Sequence, residues 1–243
     1  MRREGLSAVE QRIVSLNLSQ IANEAGSDKG DAVFHAHDYA RLYAFLFEQF
    51  REHEFAMLEI GLKRGGLDES KLRGRVEQEA PSIAMWRRYF PRAKIWGFDI
   101  SDFSAVKMEG FTFIQGDAGN AESLAALRAA LPPLRLLIDD GSHASYHQQL
   151  TLAHLFERVE PGGFFVIEDI HVFNPMDADL PKVPRTIHLL EKFLRTGTLE
   201  SDAIGAEQAR FIEANTAQVF IHRSDRGGVN YWAPKMAVLQ RRG

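Results

Sequence analysis

The chain has 243 residues, of which 45% are hydrophobic and 26% charged, the composition of a soluble globular protein. Its 29 basic and 33 acidic residues give a net charge of -4 and form no basic block, which argues against binding to nucleic acid or to an anionic membrane. The lack of cysteine excludes a disulfide scaffold, a thiolate nucleophile and cysteine-ligated zinc or iron–sulfur sites. Because the sequence shows neither a signal-peptide core nor a run of about eighteen apolar residues, we expect a soluble protein of the cytoplasm.

Two helices are predicted ahead of the first strand, because apolar residues recur at helical spacing over 6–21 and again over 39–50. The apolar face of the second helix comprises Tyr39, Leu42, Tyr43, Leu46 and Phe50. Between the two helices lies the stretch EAGSDKGD, whose glycines and acids predict a loop outside the core.

Five buried strands alternate with helices along the middle of the chain. The predicted strands are 55–60, 94–100, 111–117, 134–140 and 164–169. Helical patterns cover 82–90, 121–131 and 145–159, whereas 101–110 is too short and irregular for a good helix. This alternation predicts a parallel sheet.

The C-terminal part begins with a proline-rich loop over 174–184, followed by predicted helices over 185–195 and 206–214. The segments 218–223 and 235–242 then form a predicted antiparallel hairpin. Parallel strands with a closing hairpin indicate a doubly wound α/β fold, in which ligands bind beyond the carboxyl ends of the strands.

Acidic residues stand at the ends of the first three predicted strands. Glu59 lies one residue before the end of the first strand, Asp99 ends the second, and Asp117 follows the third. A carboxylate at such a position can accept both ribose hydroxyls, and Asp117 would lie near an adenine amino group, although a solvated turn aspartate is an equal alternative. Gly61 lets a ligand approach the backbone, but the glycines alone fit a flexible loop better. Three acids without a pyrophosphate-binding fingerprint favour a nucleoside that carries positive charge, such as a sulfonium.

Acidic residues also end the fourth and fifth strands, in the stretches LLIDDGSH and FFVIEDIH. Asp140 therefore lies at a sheet position next to Glu168 and Asp169, and their oxygens can converge on a hard divalent cation. Ligands that are all oxygen favour Mg²⁺ or Mn²⁺ over Zn²⁺. The alternative is that Asp139 or Asp140 merely caps the following helix.

A histidine, His143, follows Asp140 by three residues in the turn before the helix. A side chain there can face the same crevice and accept a proton, which suits a general base. His147 could form an H-x-x-x-H metal pair with His143, but no zincin-type glutamate accompanies it, and it is interpreted as an ordinary helix residue. Three further histidines are interpreted as surface or loop residues: His35, His37 and His171.

A charged excursion over 63–79 separates the first strand from its helix and exceeds the usual length of such connections, roughly two to six residues. It is predicted to lie outside the core, either as a solvated loop or as a mobile lid or subunit contact. The helix that follows starts at Pro81, with Ser82 as a candidate cap. Trp86 and Tyr89 fit sheet packing and ligand contact equally well.

From Gly26 onward the sequence resembles metal-dependent class I S-adenosylmethionine O-methyltransferases of natural-product sugars, the macrolide and deoxysugar family of mycinamicin and tylosin type. The resemblance is carried by GSDKG, HDYARLY, LEIG, SIAMWRRYFPRAKIWGFDIS, QGD, IDDGSH and GGFFVIED. It implies a Rossmann-like, mostly parallel seven-stranded sheet with N-terminal helices and a C-terminal antiparallel hairpin. Residues 1–52 would be a helical extension and 53–243 the methyltransferase domain. The resemblance does not extend to the large N-terminal domain of the macrolide enzymes, and we therefore expect a smaller or differently held acceptor.

The resemblance also implies the roles of individual residues. Asp140, Glu168 and Asp169 would hold Mg²⁺ or Mn²⁺, and His143 would be the catalytic base. The S-adenosylmethionine cofactor would lie along a set of six residues. These are Glu59, Gly61, Ser82, Asp99, Asp117 and Asp139.

The implied activity is O-methylation of a sugar or glycosylated natural product in antibiotic biosynthesis, by a cytoplasmic homo-oligomer. A metal ion would acidify the acceptor hydroxyl, and a neighbouring hydroxyl could complete a chelate, so we favour a vicinal diol. A catechol-type phenol is the second acceptor class. A nicotinamide-dependent oxidoreductase would share the fold, but GLKRGGLDESK lacks its glycine fingerprint. A binding protein without activity would need no base beside a metal ligand.

Overall fold

The computed structural model describes residues 17–32, 37–62, 75–225 and 232–243. Within these ranges seven strands form one sheet in the order β3-β2-β1-β4-β5-β7-β6. The strands are β1 (Ala56–Ile60), β2 (Lys94–Asp99), β3 (Phe111–Gln115), β4 (Leu134–Asp139), β5 (Val159–Glu168), β6 (Thr216–Ser224) and β7 (Ala233–Arg241). Strands β1 to β5 are parallel, whereas β7 runs antiparallel to both β5 and β6. The predicted doubly wound sheet with a closing antiparallel pair is therefore confirmed.

The described helices lie close to their predicted positions except the first, which ends at Ala25 rather than at Ile21 and so enters the stretch predicted as a loop. They are α1 (Leu18–Ala25), α2 (Tyr39–Phe47), α3 (Pro81–Tyr89), α4 (Ala121–Ala130), α5 (Ser145–Leu155), α6 (Thr186–Thr196) and α7 (Ala206–Asn215). Asn17 caps α1 by accepting a hydrogen bond from the backbone N–H of Gln20 at 3.1 Å. Residues 6–16 of the first predicted helix, and the Gly-Gly turn of the hairpin, lie outside the described residues. None of the described helices is long and hydrophobic enough for a membrane span.

The sheet is covered on both faces, because successive side chains of a strand point to opposite sides. Leu58 and Leu137 belong to a core formed with α4 to α7. Met57 and Leu136, their neighbours along the strands, belong to a second core formed with α1 to α3. The two N-terminal helices thus pack on the same sheet as the rest of the chain, and the domain boundary at residue 52 stays a prediction.

The strand order reverses between β1 and β4, so that their carboxyl ends open a crevice. Gly61 follows β1 with a φ of 79°, and a Cβ atom there would lie 2.0 Å from the carbonyl oxygen of Asp140. Both the positive φ and this close approach require glycine. Gly61 thereby lets the chain after β1 pass tightly against the chain after β4.

Part of the charged excursion, residues 63–74, lies outside the described residues. Its end is held against the fold: the N–H of Glu77 donates to the carbonyl of Asp102, and the N–H of Asp102 donates to that of Arg75, each at 2.8 Å. The Glu77 side chain is buried and pairs with Arg75. The prediction that this excursion lies outside the packed structure is therefore wrong at Glu77, because the short strand-like pairing with residue 102 carries the side chain inward.

Candidate active site

A cavity of about 710 Å³ lies at the carboxyl ends of the parallel strands, within the usual size range of small-molecule sites. Eight of the residues predicted to bind cofactor or metal, or to act in catalysis, line it. They are Gly61, Ser82, Asp99, Asp117, Asp140, His143, Glu168 and Asp169. The shared sheet edge explains why residues so far apart in sequence meet there.

On one side of the cavity the backbone holds two aspartates in fixed orientations. Asp99 accepts hydrogen bonds from the N–H of Leu62 at 2.9 Å and from that of Ser101 at 2.8 Å. Burial raises the pKa of Asp99, although these two bonds oppose the shift. Asp117 accepts from the N–H of Gly119 at 2.8 Å. Each carboxylate keeps acceptor capacity for a ligand, since an ionised carboxylate has about four lone-pair sites.

Two of the predicted cofactor residues do not line this cavity. Glu59 is fully buried, and its Oε2 accepts a hydrogen bond from the Ser82 hydroxyl at 2.7 Å. Asp139 is also buried and accepts from the Thr151 hydroxyl. Burial raises the pKa of Asp139 to about 6. Both acids lie behind the cavity wall. Direct contact of Glu59 and Asp139 with the cofactor stays a prediction.

The predicted cap of α3 is wrong. Ser82 is the second residue of the helix, and no side chain caps the helix start at Ala80. The Ser82 hydroxyl donates instead to Glu59, because an N-terminal helical position turns it toward the end of β1.

Three of the four metal-binding and base residues predicted at the ends of β4 and β5 converge, whereas the fourth, Glu168, is held by Lys29 and Tyr43. Ligand atoms of Asp140, His143 and Asp169 all lie within 4.8 Å of one another. Neither Asp139 nor Asp140 caps α5, because the helix begins at Ser145, whose N–H donates to Asp177 Oδ1 at 3.0 Å. The capping alternative for these two aspartates is thus wrong.

A lysine that sequence reasoning placed outside the core lies at the centre of the acids. Lys29 is 1% exposed, and its Nζ lies 2.5 Å from Asp140 Oδ2, 2.9 Å from both oxygens of Glu168 and 3.4 Å from Glu59 Oε1. Burial alone would lower the pKa of Lys29, but the three carboxylates outweigh it and hold that pKa well above its usual range. The segment is a loop, as predicted, but it enters the core because its lysine is paired there. The motif GSDKG was the feature of the sequence that could have pointed to the buried position of Lys29.

Two tyrosines of α2 hold the acids of β5. The Tyr39 hydroxyl donates to Asp169 Oδ1 at 2.6 Å, and the Tyr43 hydroxyl donates to Glu168 Oε1. Burial, followed by the adjoining carboxylates, raises the pKa of both tyrosines well above the usual value, so both remain donors. Their helical spacing indicated only a buried face; their hydroxyl partners were not foreseen.

Three imidazoles surround Asp169. His143 Nε2 lies 3.7 Å from Asp169 Oδ2, while His37 Nδ1 and His171 Nδ1 lie 3.6 and 3.7 Å from Oδ1. Burial would raise the pKa of Asp169, but His143, His37 and the Tyr39 hydroxyl outweigh it, so the pKa is lowered. His37 and His171 lie in loops, as predicted, and both also pack beside a buried carboxylate. His35 lies outside the described residues.

His147 occupies α5, as predicted, and also lines the cavity. Its Nδ1 lies 2.7 Å from the Ser142 hydroxyl, and burial lowers its pKa. His143 differs because it precedes the helix in the left-handed region, with a φ of 62°. Such a conformation is uncommon in a residue other than glycine, and it turns His143 toward Asp169.

Comparison with known proteins connects this cavity to a chemistry. The chain is 35% identical over 165 residues to 8-demethyl-8-alpha-L-rhamnosyl tetracenomycin-C 2'-O-methyltransferase of Streptomyces olivaceus, covering 68% of this chain and 40% of that protein. It is 39% identical over 124 residues to mycinamicin VI 2''-O-methyltransferase of Micromonospora griseorubida, covering 51% of this chain and 29% of that protein. The chain thus spans less than half of the length of these two relatives. No protein-family model matches it.

Solved structures agree with these sequence relatives. MycE methyltransferase from the mycinamycin biosynthetic pathway, in complex with Mg, SAH and mycinamycin VI, superimposes with a TM-score of 0.69 at 26% identity, over 93% of this chain and 54% of MycE. The O-methyltransferase TomG from Streptomyces achromogenes, in complex with SAM, shares the fold over the full length of both chains, with a TM-score of 0.50 and 13% identity. The chain therefore has the class I methyltransferase fold and is a homologue of sugar O-methyltransferases of macrolide and tetracenomycin pathways.

Proposed function

We propose that the chain is an S-adenosylmethionine- and Mg²⁺-dependent O-methyltransferase that acts on a hydroxyl of a sugar or glycosylated natural product. The observation that carries the proposal is the convergence of Asp140, His143 and Asp169 at the wall of a cavity that also contains Asp99 and Asp117. The names of the sequence relatives support a glycoside acceptor. A cytoplasmic location, expected from the sequence pattern and the resemblance, and a homo-oligomeric state, implied by the resemblance, belong to the proposal.

The donor atoms at the site fit a hard divalent cation. Asp140, Glu168 and Asp169 would hold it, because they offer carboxylate oxygens at neighbouring strand ends, and such oxygens suit Mg²⁺ or Mn²⁺. When bound, the ion would lower the pKa of an acceptor hydroxyl in contact with it. Tyr39 and Tyr43 would keep two of the ligands in place through their hydroxyl groups.

The other side of the cavity suits the nucleoside part of the cofactor. Asp99 ends β2 and would accept the ribose hydroxyls, and Asp117 would face the adenine. Gly61 would lie beside the cofactor at the end of β1, because it lines the cavity where the chain after β1 passes against the carbonyl of Asp140. The acids that follow β4 and β5 line the same cavity.

His143 would take the proton of the acceptor hydroxyl. It lines the cavity, its side chain is 24% exposed, and its Nε2 faces Asp169. Asp169, whose Oδ2 lies 3.7 Å from His143 Nε2, would orient the imidazole. When bound, S-adenosylmethionine would supply its methyl group to the acceptor oxygen with loss of the carbon–sulfur bond, and S-adenosylhomocysteine would remain.

The test is a methylation assay with S-adenosylmethionine, Mg²⁺ and a panel of glycosides, nucleotide sugars and catechols. We expect Asp140→Asn to lose activity that excess Mg²⁺ partly restores, while cofactor affinity changes little. His143→Ala should lose roughly 10²- to 10⁴-fold in turnover, with a smaller deficit at high pH, where hydroxide can replace the base. His188→Ala, which removes an exposed histidine of α6, is the matched control.

Full activity after chelator treatment, or an unimpaired His143→Ala variant at neutral pH, would contradict the metal-and-base mechanism. Methylation of catechols but not of glycosides would shift the acceptor to the phenol class. Calorimetry that showed tight NAD binding and no binding of S-adenosylhomocysteine would replace the methyltransferase proposal with an oxidoreductase.

A further inference from the structure

The contacts of Lys29 connect three acids that reach the site from three different strands. Its Nζ touches Asp140 after β4 at 2.5 Å, Glu168 at the end of β5 at 2.9 Å, and Glu59 near the end of β1 at 3.4 Å. An ammonium group has three donors, and here each can face a different carboxylate. The lysine therefore fixes the relative positions of the three strand ends at their acids.

The charges of this cluster define what it offers to a bound ion. Asp140, Glu168 and Asp169, the proposed metal ligands, carry three negative charges when ionised, and Lys29 supplies one positive charge in direct contact with two of them. With Glu59, the third partner of Lys29, the cluster holds four carboxylates, and the lysine lowers its net charge from four negative charges to three when all groups are ionised. A positive charge that shares ligands with the ion opposes a trivalent ion more than a divalent one, because Coulomb repulsion scales with the charge of the ion.

We propose that Lys29 is a built-in cation of the metal site, which positions Asp140 and Glu168 and sets the preference of the site for divalent over trivalent ions. The inference rests on the proposed function, since it assigns Lys29 a role toward the metal of that function. Lys29 is a positioning residue, because it acts through the carboxylates and touches neither acceptor nor cofactor in this role.

Substitution of Glu59 by glutamine removes a negative charge from the same cluster, the opposite of the change made by removing the charge of Lys29. It is fully buried behind the cavity wall, and its contacts are with Lys29 and Ser82. Removing its negative charge should therefore disfavour a trivalent ion, whereas removing the positive charge of Lys29 should favour one. Changing both together restores the charge balance.

The test compares the binding of Tb³⁺ and Mg²⁺ to purified protein, with Tb³⁺ followed by luminescence and Mg²⁺ by its displacement of Tb³⁺. Lys29→Met keeps an unbranched side chain, one atom shorter than that of lysine, and removes its charge. We expect its ratio of Tb³⁺ to Mg²⁺ affinity to rise roughly ten- to a hundredfold above that of the unaltered protein, given a unit charge a few ångströms from the ion. Glu59→Gln should lower the ratio about threefold or more, and the double variant should fall between the single variants.

The matched control is Lys235→Met. Lys235 is also fully buried, but its Nζ lies 3.1 Å from His171 Nε2, and it forms no ion pair with a carboxylate among the described residues. The ratio of Tb³⁺ to Mg²⁺ affinity in Lys235→Met should stay within about threefold of that of the unaltered protein, because a charge farther from the ion has a smaller effect on it. Circular dichroism and thermal unfolding establish that each variant is folded.

An affinity ratio that Lys29→Met leaves within about twofold of the unaltered value, in folded protein that still binds Mg²⁺, would overturn the inference and leave the proposed function intact. If Lys29→Met does not fold, Glu59→Gln decides, and a ratio that is unchanged or raised overturns the inference. An unaltered protein that binds neither ion would overturn the metal assignment itself and the role of Lys29 with it.

Discussion

The hydroxyl of Tyr39 provides a test of how the structure outside the ligands supports the metal site. Tyr39 is 1% exposed, and its hydroxyl donates to Asp169 Oδ1 at 2.6 Å. Its ring stacks on His37 with the centroids 5.1 Å apart. Tyr39→Phe removes the hydroxyl and keeps the ring, so the stacking and the packing of α2 should persist while Asp169 loses its hydroxyl donor.

The size of the effect follows from the type of hydrogen bond. A hydrogen bond to a charged group contributes about 1.5 to 3 kcal/mol, and loss of a group that orients a metal ligand lowers metal affinity about 10- to 100-fold. The two estimates agree, since a factor of ten corresponds to about 1.4 kcal/mol. We therefore expect Tyr39→Phe to bind Mg²⁺ about 10- to 100-fold more weakly, with little change in the affinity for S-adenosylhomocysteine.

Calorimetric titration of the protein with Mg²⁺, in the presence of S-adenosylhomocysteine, measures this effect. Tyr89→Phe is the matched control, because the Tyr89 hydroxyl donates to a different carboxylate, Glu48 Oε2, at 2.7 Å. Both variants lose a tyrosine–carboxylate bond, but Tyr89→Phe should keep its Mg²⁺ affinity. Equal Mg²⁺ affinities of Tyr39→Phe and the unaltered protein would refute the reasoning, and equal losses in the two variants would indicate a general loss of stability.

Three further predictions concern the cavity. Asp99→Asn should weaken S-adenosylhomocysteine binding about tenfold or more, because it removes a charged acceptor; an unchanged dissociation constant in calorimetry would contradict the placement of the ribose. Gly61→Ala should destabilise the fold and reduce metal binding, because its Cβ would displace the carbonyl of Asp140; unchanged thermal unfolding and Mg²⁺ titration would show that the two loops can separate freely. The pKa of Asp139 rises from 3.8 to about 6 on folding. Its contribution to the free energy of unfolding is therefore complete at a pH below the unfolded pKa and is lost as the pH rises through the folded pKa. Between about pH 4 and 7 the free energy of unfolding, measured with urea, should fall by about 2 to 3 kcal/mol less in Asp139→Asn than in the unaltered protein; identical pH profiles would contradict this.

The positions of the strands and of the acids that follow them could be predicted from the sequence, because both depend on local patterns. An apolar run bounded by polar residues predicts a buried strand wherever it lies in the chain. Parallel strands then bring their carboxyl ends to the same edge of the sheet. This reasoning predicts that Asp140 lies near Glu168 and Asp169. In the structure the strands that they follow or end, β4 and β5, are paired neighbours.

The start of β5 shows where a local pattern is insufficient. The predicted strand begins at residue 164, whereas β5 begins at Val159, which pairs with Leu134 across a register shift. The intervening residues include two glycines, which weaken a strand prediction. Pairing with the neighbouring strand, rather than the propensity of the segment, extends β5 there.

The placement of Glu59 and Asp139 was decided by the tertiary structure. Being near the end of a strand does not determine which side of the cavity wall a side chain takes, because successive residues point in opposite directions. Asp139 turns toward Thr151 of α5, and Glu59 toward Lys29 and Ser82. Asp140, one residue after Asp139, lines the cavity.

The sequence by itself determined that the chain forms a sheet, the order of strands and helices along the chain, and the acids at the carboxyl edge of the sheet. Only the tertiary structure decided that Lys29 would be buried, since its partners Asp140 and Glu168 lie 111 and 139 residues away along the chain. A lysine in a polar loop has the local pattern of a solvated residue. It becomes a core residue here because folding brings three carboxylates to its ammonium group, and burial of a charge requires partners that a local pattern does not contain.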